Sequence, residues 1–149
     1  MKGYVYAFIL LALAVSAYLL LGSRNAYAEG SVGGPLHWHS RIAIFIDGKE
    51  VGVPDNLGLG GGRHLPVHTH EEGDGTVHFE FSQATIPKNQ LTVGYFMNEV
   101  WGERFNSECV FDYCNAGGKG VKMLVNGREN GDFEHYVMAD GDVIEIRYE

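Results

Sequence analysis

Cysteine and base are scarce in this chain, and each scarcity excludes something. The 149 residues carry two cysteines, Cys109 and Cys114, so one disulfide is the most they can form. Four residues separate them, which is not a Cys-x-x-Cys redox or zinc signature. Lys and Arg number 11 against 19 Asp and Glu, for a formal net charge of −8. An acidic balance argues against nucleic acid and anionic membrane surfaces as partners, and it attracts cations. The common catalytic signatures are missing. There is no His-Glu-x-x-His, no Gly-x-Ser-x-Gly and no glycine-rich phosphate loop with its lysine. The glycine run from Gly58 to Gly62 has no such lysine and opens no helix, which leaves flexibility as its expected role. A domain of this size offers only a shallow cleft, so binding is favoured over catalysis.

Long apolar runs are confined to one place. Tyr4 to Leu21 is 18 uncharged, apolar residues, flanked by Lys2 and Arg24, the only charges in the first 28 positions. That length reaches the upper edge of a signal-peptide core and is just enough for a membrane-spanning helix. Ala26-Tyr27-Ala28 supplies a small-x-small cleavage site, so residues 1–28 are expected to be a signal peptide or a retained signal anchor. Both options place the rest of the chain outside the cytoplasm, either secreted or held at the outer face of the cell membrane. Without Lys2 and Arg24 the net charge becomes −10. In an oxidising compartment, Cys109 and Cys114 read first as a disulfide and second as a thiolate pair for a soft metal.

Residues 29–36 form a glycine-rich linker, and 37–149 make one domain. Arg41 to Ile46 reads as a strand, Asp47-Gly48 as a hairpin turn, and Glu50 to Val53 as the returning strand, stopped by Pro54. Gly75 to Phe81 alternates Val77, Phe79 and Phe81 with Thr76, His78 and Glu80, a half-buried strand. From Leu91 to Gly102, Val93, Phe96, Met97, Val100 and Trp101 recur at helical steps, with Thr92 as N-cap and Gly102 as stop. Val121 to Val125, an Asn126-Gly127 turn and Val143 to Tyr148 close the domain. The expected class is α+β, a mixed sheet covered on one face by a single helix and preceded by the N-terminal hydrophobic helix.

Val121-Lys-Met-Leu-Val-Asn-Gly-Arg128, then Tyr136 and Asp140-Gly-Asp-Val-Ile-Glu-Ile146, resembles the closing half of a β-grasp (ubiquitin-like) domain. A wider pattern resembles a family of uncharacterised, exported, His-rich small domains. It comprises His37-x-His39, Ile44-x-Ile46-Asp-Gly48, Pro54-x-Asn56-x-Gly58, His68-Thr-His70, Val77-His78-Phe79-Glu80 and Leu91-Thr-Val-Gly94. The first resemblance implies a β-grasp-like sheet with one covering helix, and the second supplies no established activity, so function rests on the site.

Histidine is the chemistry that is present. Six of the seven histidines lie between residues 37 and 78, and four form the pairs His37-Trp38-His39 and His68-Thr69-His70. On a strand, residues i and i+2 share a face, so each pair aims two imidazoles at one point. Ile42, Ile44 and Ile46 mark the core side of the first strand, which turns His37 and His39 to the other face. The same alternation turns His78 and Glu80 away from Val77, Phe79 and Phe81, so His39 and His78 meet if their strands pair. Imidazole sites suit copper and zinc, with copper ahead in the Irving–Williams order.

The expected metal ligands are therefore His37, His39, His68 and His70, then His78 and His64. Glu71, Glu72, Asp74 and Glu80 are candidate partners of the imidazoles, and Glu72 or Glu80 a general base if the site were hydrolytic. Each residue also has an ordinary reading: a lone surface histidine is usually just solvated, and 71–75 looks like a hairpin loop. His135 reads as structural or solvated. Met97, Met123 and Met138 give little support to a copper(I) site. The reading is an exported domain for metal capture, buffering or delivery, with copper first and zinc second. Its partners are the metal ion, a protein partner as an open option, and the membrane if the N-terminal helix is uncleaved. The alternatives are a non-metal interaction or accessory module presenting Trp38, Trp101, Phe111 or Tyr113, or a small metal-dependent enzyme.

Overall fold

The computed structural model describes residues 30–71 and 73–149. The apolar segment of residues 1–28, the start of the linker and Glu72 lie outside the described residues. In chain order the strands are β1 (Ser31–Gly33), β2 (Leu36–Ile46), β3 (Lys49–Val51), β4 (Leu59–Gly60), β5 (Arg63–His64) and β6 (Val67–His68). They continue as β7 (Thr76–Phe81), β8 (Thr85–Pro87), β9 (Cys109–Val110), β10 (Tyr113–Cys114), β11 (Val121–Val125), β12 (Arg128–Glu129) and β13 (Val143–Tyr148).

The sheet is organised by β2. Its length lets it carry β3 along Ile44–Ile46 and β7 along Leu36–Arg41 on one side. On its other side it pairs in parallel with β13, Ile42 facing Ile144 and Ile44 facing Ile146. The resulting seven-stranded sheet runs β12-β11-β13-β2-β7-β6, with β3 on β2. Asp47-Gly48 and Asn126-Gly127 turn the β2–β3 and β11–β12 hairpins, each with positive φ at both residues, the geometry that matches strand twist.

Even-numbered β2 residues and odd-numbered β7 residues face the core. Ile42, Ile44, Val77, Phe79, Ile144 and Ile146 are at most 1% exposed, and each contributes about 1.5–3 kcal/mol by leaving water. At the far edge of this core, Asp142 is buried and accepts hydrogen bonds from Asn126, the Tyr136 hydroxyl and the Ala139 amide. Burial, with the Asp142 charge behind it, pushes the Tyr136 phenol up to about 12. The Asp-Gly-Asp corner is thus a structural tie between the last strand and its approach.

The expected α+β class is corrected: strand accounts for 45% and helix for 13% of the described residues, a mostly β domain. The expected helix Leu91–Gly102 is shorter and of another kind. Thr92 is extended, at φ −86° and ψ 154°, and bridges to Val137, which breaks the helix at its predicted start. Lys88–Leu91 is a single 3-10 turn, and the helix proper is a seven-residue π-helix, Tyr95–Trp101. Its apolar face was correctly marked, since Phe96 and Met97 are fully buried. Three- and four-residue spacing cannot distinguish the wider π turn from an α turn. Gly102, at φ 84°, ends it in the left-handed cap conformation.

Cys109 and Cys114 are disulfide-bonded across the β9–β10 hairpin, where they are register partners. The thiolate-pair alternative is therefore excluded. Among the described residues, no helix is long and apolar enough to cross a membrane.

Candidate metal centre

The face of the sheet turned away from Ile42 and Phe79 carries the histidines. Strand register sets His39 opposite His78 and His37 opposite Glu80. On the next strand, His68 stands opposite His78. Three adjacent strands thus lay His39, His78 and His68 in a row, one imidazole per strand spacing. Ring centroids along it are 4.7 Å apart for His39–His78 and 5.5 Å for the stacked His78–His68 pair. His70, two residues beyond His68, returns to the same face, 4.4 Å from the His78 ring and 4.7 Å from that of His68. His37 lies 4.8 Å from His39, centroid to centroid, and its Nε2 is 3.6 Å from Glu80 Oε1.

The residue between each histidine pair does the opposite job. Trp38 packs against the core. The Thr69 hydroxyl donates to the Pro54 carbonyl at 2.8 Å and accepts from the Leu57 amide at 3.0 Å. Thr69 N–H also donates to Leu57 O. This stitches the 54–57 segment to the strand end that presents His68 and His70.

The glycine run is a hairpin rather than a free loop. β4 and β5 pair across Gly61-Gly62, both at positive φ, the requirement of a two-residue type I′ turn. Gly58, at φ +76°, sits so close to β6 that a Cβ there would lie 2.6 Å from Val67 O and 3.2 Å from His68 Cβ. The hairpin carries exposed His64 to the buried ring of His68, with centroids 4.6 Å apart.

His68 is the hub. It is fully buried. Burial lowers its pKa below the ordinary 6.5, against the opposing pull of the Leu65 carbonyl and the Glu80 charge. Its Nδ1–H donates to Leu65 O at 2.9 Å, which fixes the tautomer and leaves Nε2 with its lone pair. His68 Nε2 lies 3.1 Å from His70 Nε2 and 3.4 Å from His64 Nε2. Metal–nitrogen bonds of about 2.0–2.1 Å in a tetrahedron put neighbouring donor atoms about 3.3–3.4 Å apart. The imidazole nitrogens are therefore spaced like a ligand shell.

Two groups of described residues have donor atoms close enough that they could hold a metal ion. One is His68, His70, His78 and Glu80; the other is His37, His39 and His78. Within each, the candidate donor atoms all lie within 4.8 Å of one another. His64 belongs to neither group and touches the first through His68. Of the other described acids, Glu71 accepts from Asn56, and Asp74 accepts from the Thr76 amide. Those Thr76 hydrogen bonds hold the Asp74 carboxyl below its usual range. His135 sits beside Glu134 in the Phe133–His135 turn and joins neither group. Met97, Met123 and Met138 are core residues, and of the four aromatics considered for an interface only Tyr113 is largely exposed.

Sequence reasoning ranked Glu80 as a partner of the imidazoles; here it joins the donor atoms. It missed Leu65, Thr69 and Gly58, which position the histidines without being titratable. The alternation of Thr69 against its two histidine neighbours was the available signal for one of them. No family model, no curated protein and no solved structure matches this chain. The likenesses to β-grasp domains and to exported His-rich domains accordingly stand as resemblances in sequence.

Proposed function

We propose that this protein binds a transition-metal ion, copper first and zinc second, through His68, His70, His78 and Glu80. Its role is capture, buffering or delivery of that ion outside the cytoplasm. The donor spacing carries this reading: four donor atoms from separate side chains lie within 4.8 Å of one another, one of them on a buried imidazole whose other nitrogen is already committed to Leu65. That commitment is what metal-binding histidines ordinarily need from their surroundings.

Each residue has a definite part. His68 and His70 present nitrogens from successive same-face positions, and His78 adds one from the neighbouring strand. Glu80 contributes negative charge that offsets that of a cation. Copper leads because nitrogen sites bind it more tightly than zinc. The disulfide and the apolar segment of residues 1–28 support a location in an oxidising compartment, secreted or tethered.

The test is elemental mass spectrometry on the full chain, loaded separately with copper(II) and zinc(II) and then exhaustively dialysed. Stoichiometric retention of either metal is the expected result. If neither is retained, the metal function is wrong and a non-metal interaction module becomes the better account.

A further inference from the structure

The two histidine pairs converge from different sides on one residue. His78 is common to both groups of donors, with His68, His70 and Glu80 on one side and His37 and His39 on the other. Together they offer six different side chains. That exceeds the four ligands of a zinc site and the usual set of a copper site. A neutral imidazole has one lone-pair nitrogen and one N–H; it binds an ion on each nitrogen only as the imidazolate, after releasing that proton to water.

We propose that the domain holds two transition-metal ions, the second on His37 and His39, with the His78 ring between the two positions. This rests on the reading of the first group as a metal site and adds a second position of different character. His68 is 0% exposed, whereas the His37 side chain is 65% exposed. Beside His37 and Glu80 opens a surface cleft of about 500 Å³, also lined by Pro35, Leu36, Phe81 and Ser82. The outer ion is therefore open to chelators and incoming ligands, while the inner one rests on fully buried His68, which the β4–β5 hairpin approaches through His64. The chain's net charge of −8 favours accumulation of two dications on so small a surface. Glu80 opposes His37 in the register while belonging to the inner group, so its charge lies between both ions.

The experiment loads the full chain with copper(II), removes excess, and counts retained copper while recording its electron paramagnetic resonance spectrum. Two equivalents are expected, with a signal broadened by coupling between neighbouring ions. A dilute chelator should remove one equivalent quickly and the other at least tenfold more slowly. The variant H37A/H39A should keep one equivalent, lose the fast phase and show a sharp, uncoupled spectrum. The single variant His37→Gln, at a largely exposed position, checks the same loss without deleting two rings. One equivalent in the wild-type chain overturns the second position and leaves the first intact. Two equivalents retained by H37A/H39A also overturn it. No copper retained at all removes both readings together.

Discussion

Replacing His68 with alanine is the sharpest perturbation, because one ring serves three purposes. It removes a donor nitrogen that stands 3.1 Å and 3.4 Å from its neighbours. It breaks the hydrogen bond to Leu65 O. It also empties a fully buried position. Structural zinc sites release about 10–16 kcal/mol over four ligands, so one donor is worth about 3 kcal/mol, on the order of a hundredfold in affinity. The metal-free variant should lose about 2 kcal/mol through the missing hydrogen bond and the cavity. The assay is a competition titration of zinc against a chelator of known affinity, run on the full chain. Near-ultraviolet circular dichroism confirms that the variant is folded. His135→Ala is the control, since His135 belongs to neither donor group. His70→Ala, at a half-buried position, repeats the test at lower structural cost. If folded His68→Ala and His70→Ala both bind zinc within threefold of wild type, the donor assignment is refuted.

Three further outcomes follow from the surrounding structure. Gly58→Ala should cost about 2 kcal/mol or more in denaturant unfolding, since φ +76° strains any side chain and a Cβ would lie 2.6 Å from Val67 O; wild-type stability would show that the hairpin does not press on β6. C109S/C114S should lose about 2 kcal/mol by the chain-entropy argument for so short a loop, read as a lowered midpoint of chemical unfolding. Tyr136 gives a pH signature. Its folded pKa of about 12 lies above the ordinary 10.0 of a tyrosine, so above pH 10 the unfolded chain sheds a proton that the folded one keeps. Stability is thus unchanged by this group below pH 10 and falls as pH rises towards about 12. Discounted for the ring's contact with solvent, the loss is about 1 kcal/mol, and Tyr136→Phe should abolish that component of an alkaline unfolding series.

Period-two alternation explains most of what was legible from residues alone. It separated Ile42, Ile44 and Ile46 from His37 and His39, and Phe79 from His78 and Glu80, and the register then joined the two histidine faces. The Asp-Gly and Asn-Gly turns were legible because positive φ at both positions restricts the residues that fit. The α+β class failed for a physical reason. The apolar spacing in 93–101 is the same for α and π turns, and the bridge from Thr92 to Val137 is a tertiary contact that local pattern does not encode. The glycine run read as flexible because glycine permits many shapes. Only its pairing across Leu59 and His64 shows that Gly61-Gly62 is a turn and that His64 is delivered to His68.

The burial of two imidazoles is itself an argument about function. His68 and His78 are 0% and 9% exposed in a sheet whose other face is filled by Ile, Val and Phe. Burying a polar ring costs free energy that an apolar residue of similar size would not incur. The charged form of His68 is further disfavoured by that burial, which keeps its Nε2 lone pair ready to bind an ion. A sheet selected for stability alone would place apolar or β-branched residues at these two positions on adjacent strands. A set of nitrogens at ligand spacing, with Leu65 fixing the tautomer of the most buried one, is instead what a prepared donor shell would trade stability for. Metal binding would return that cost, because an ion that binds only the folded chain stabilises it.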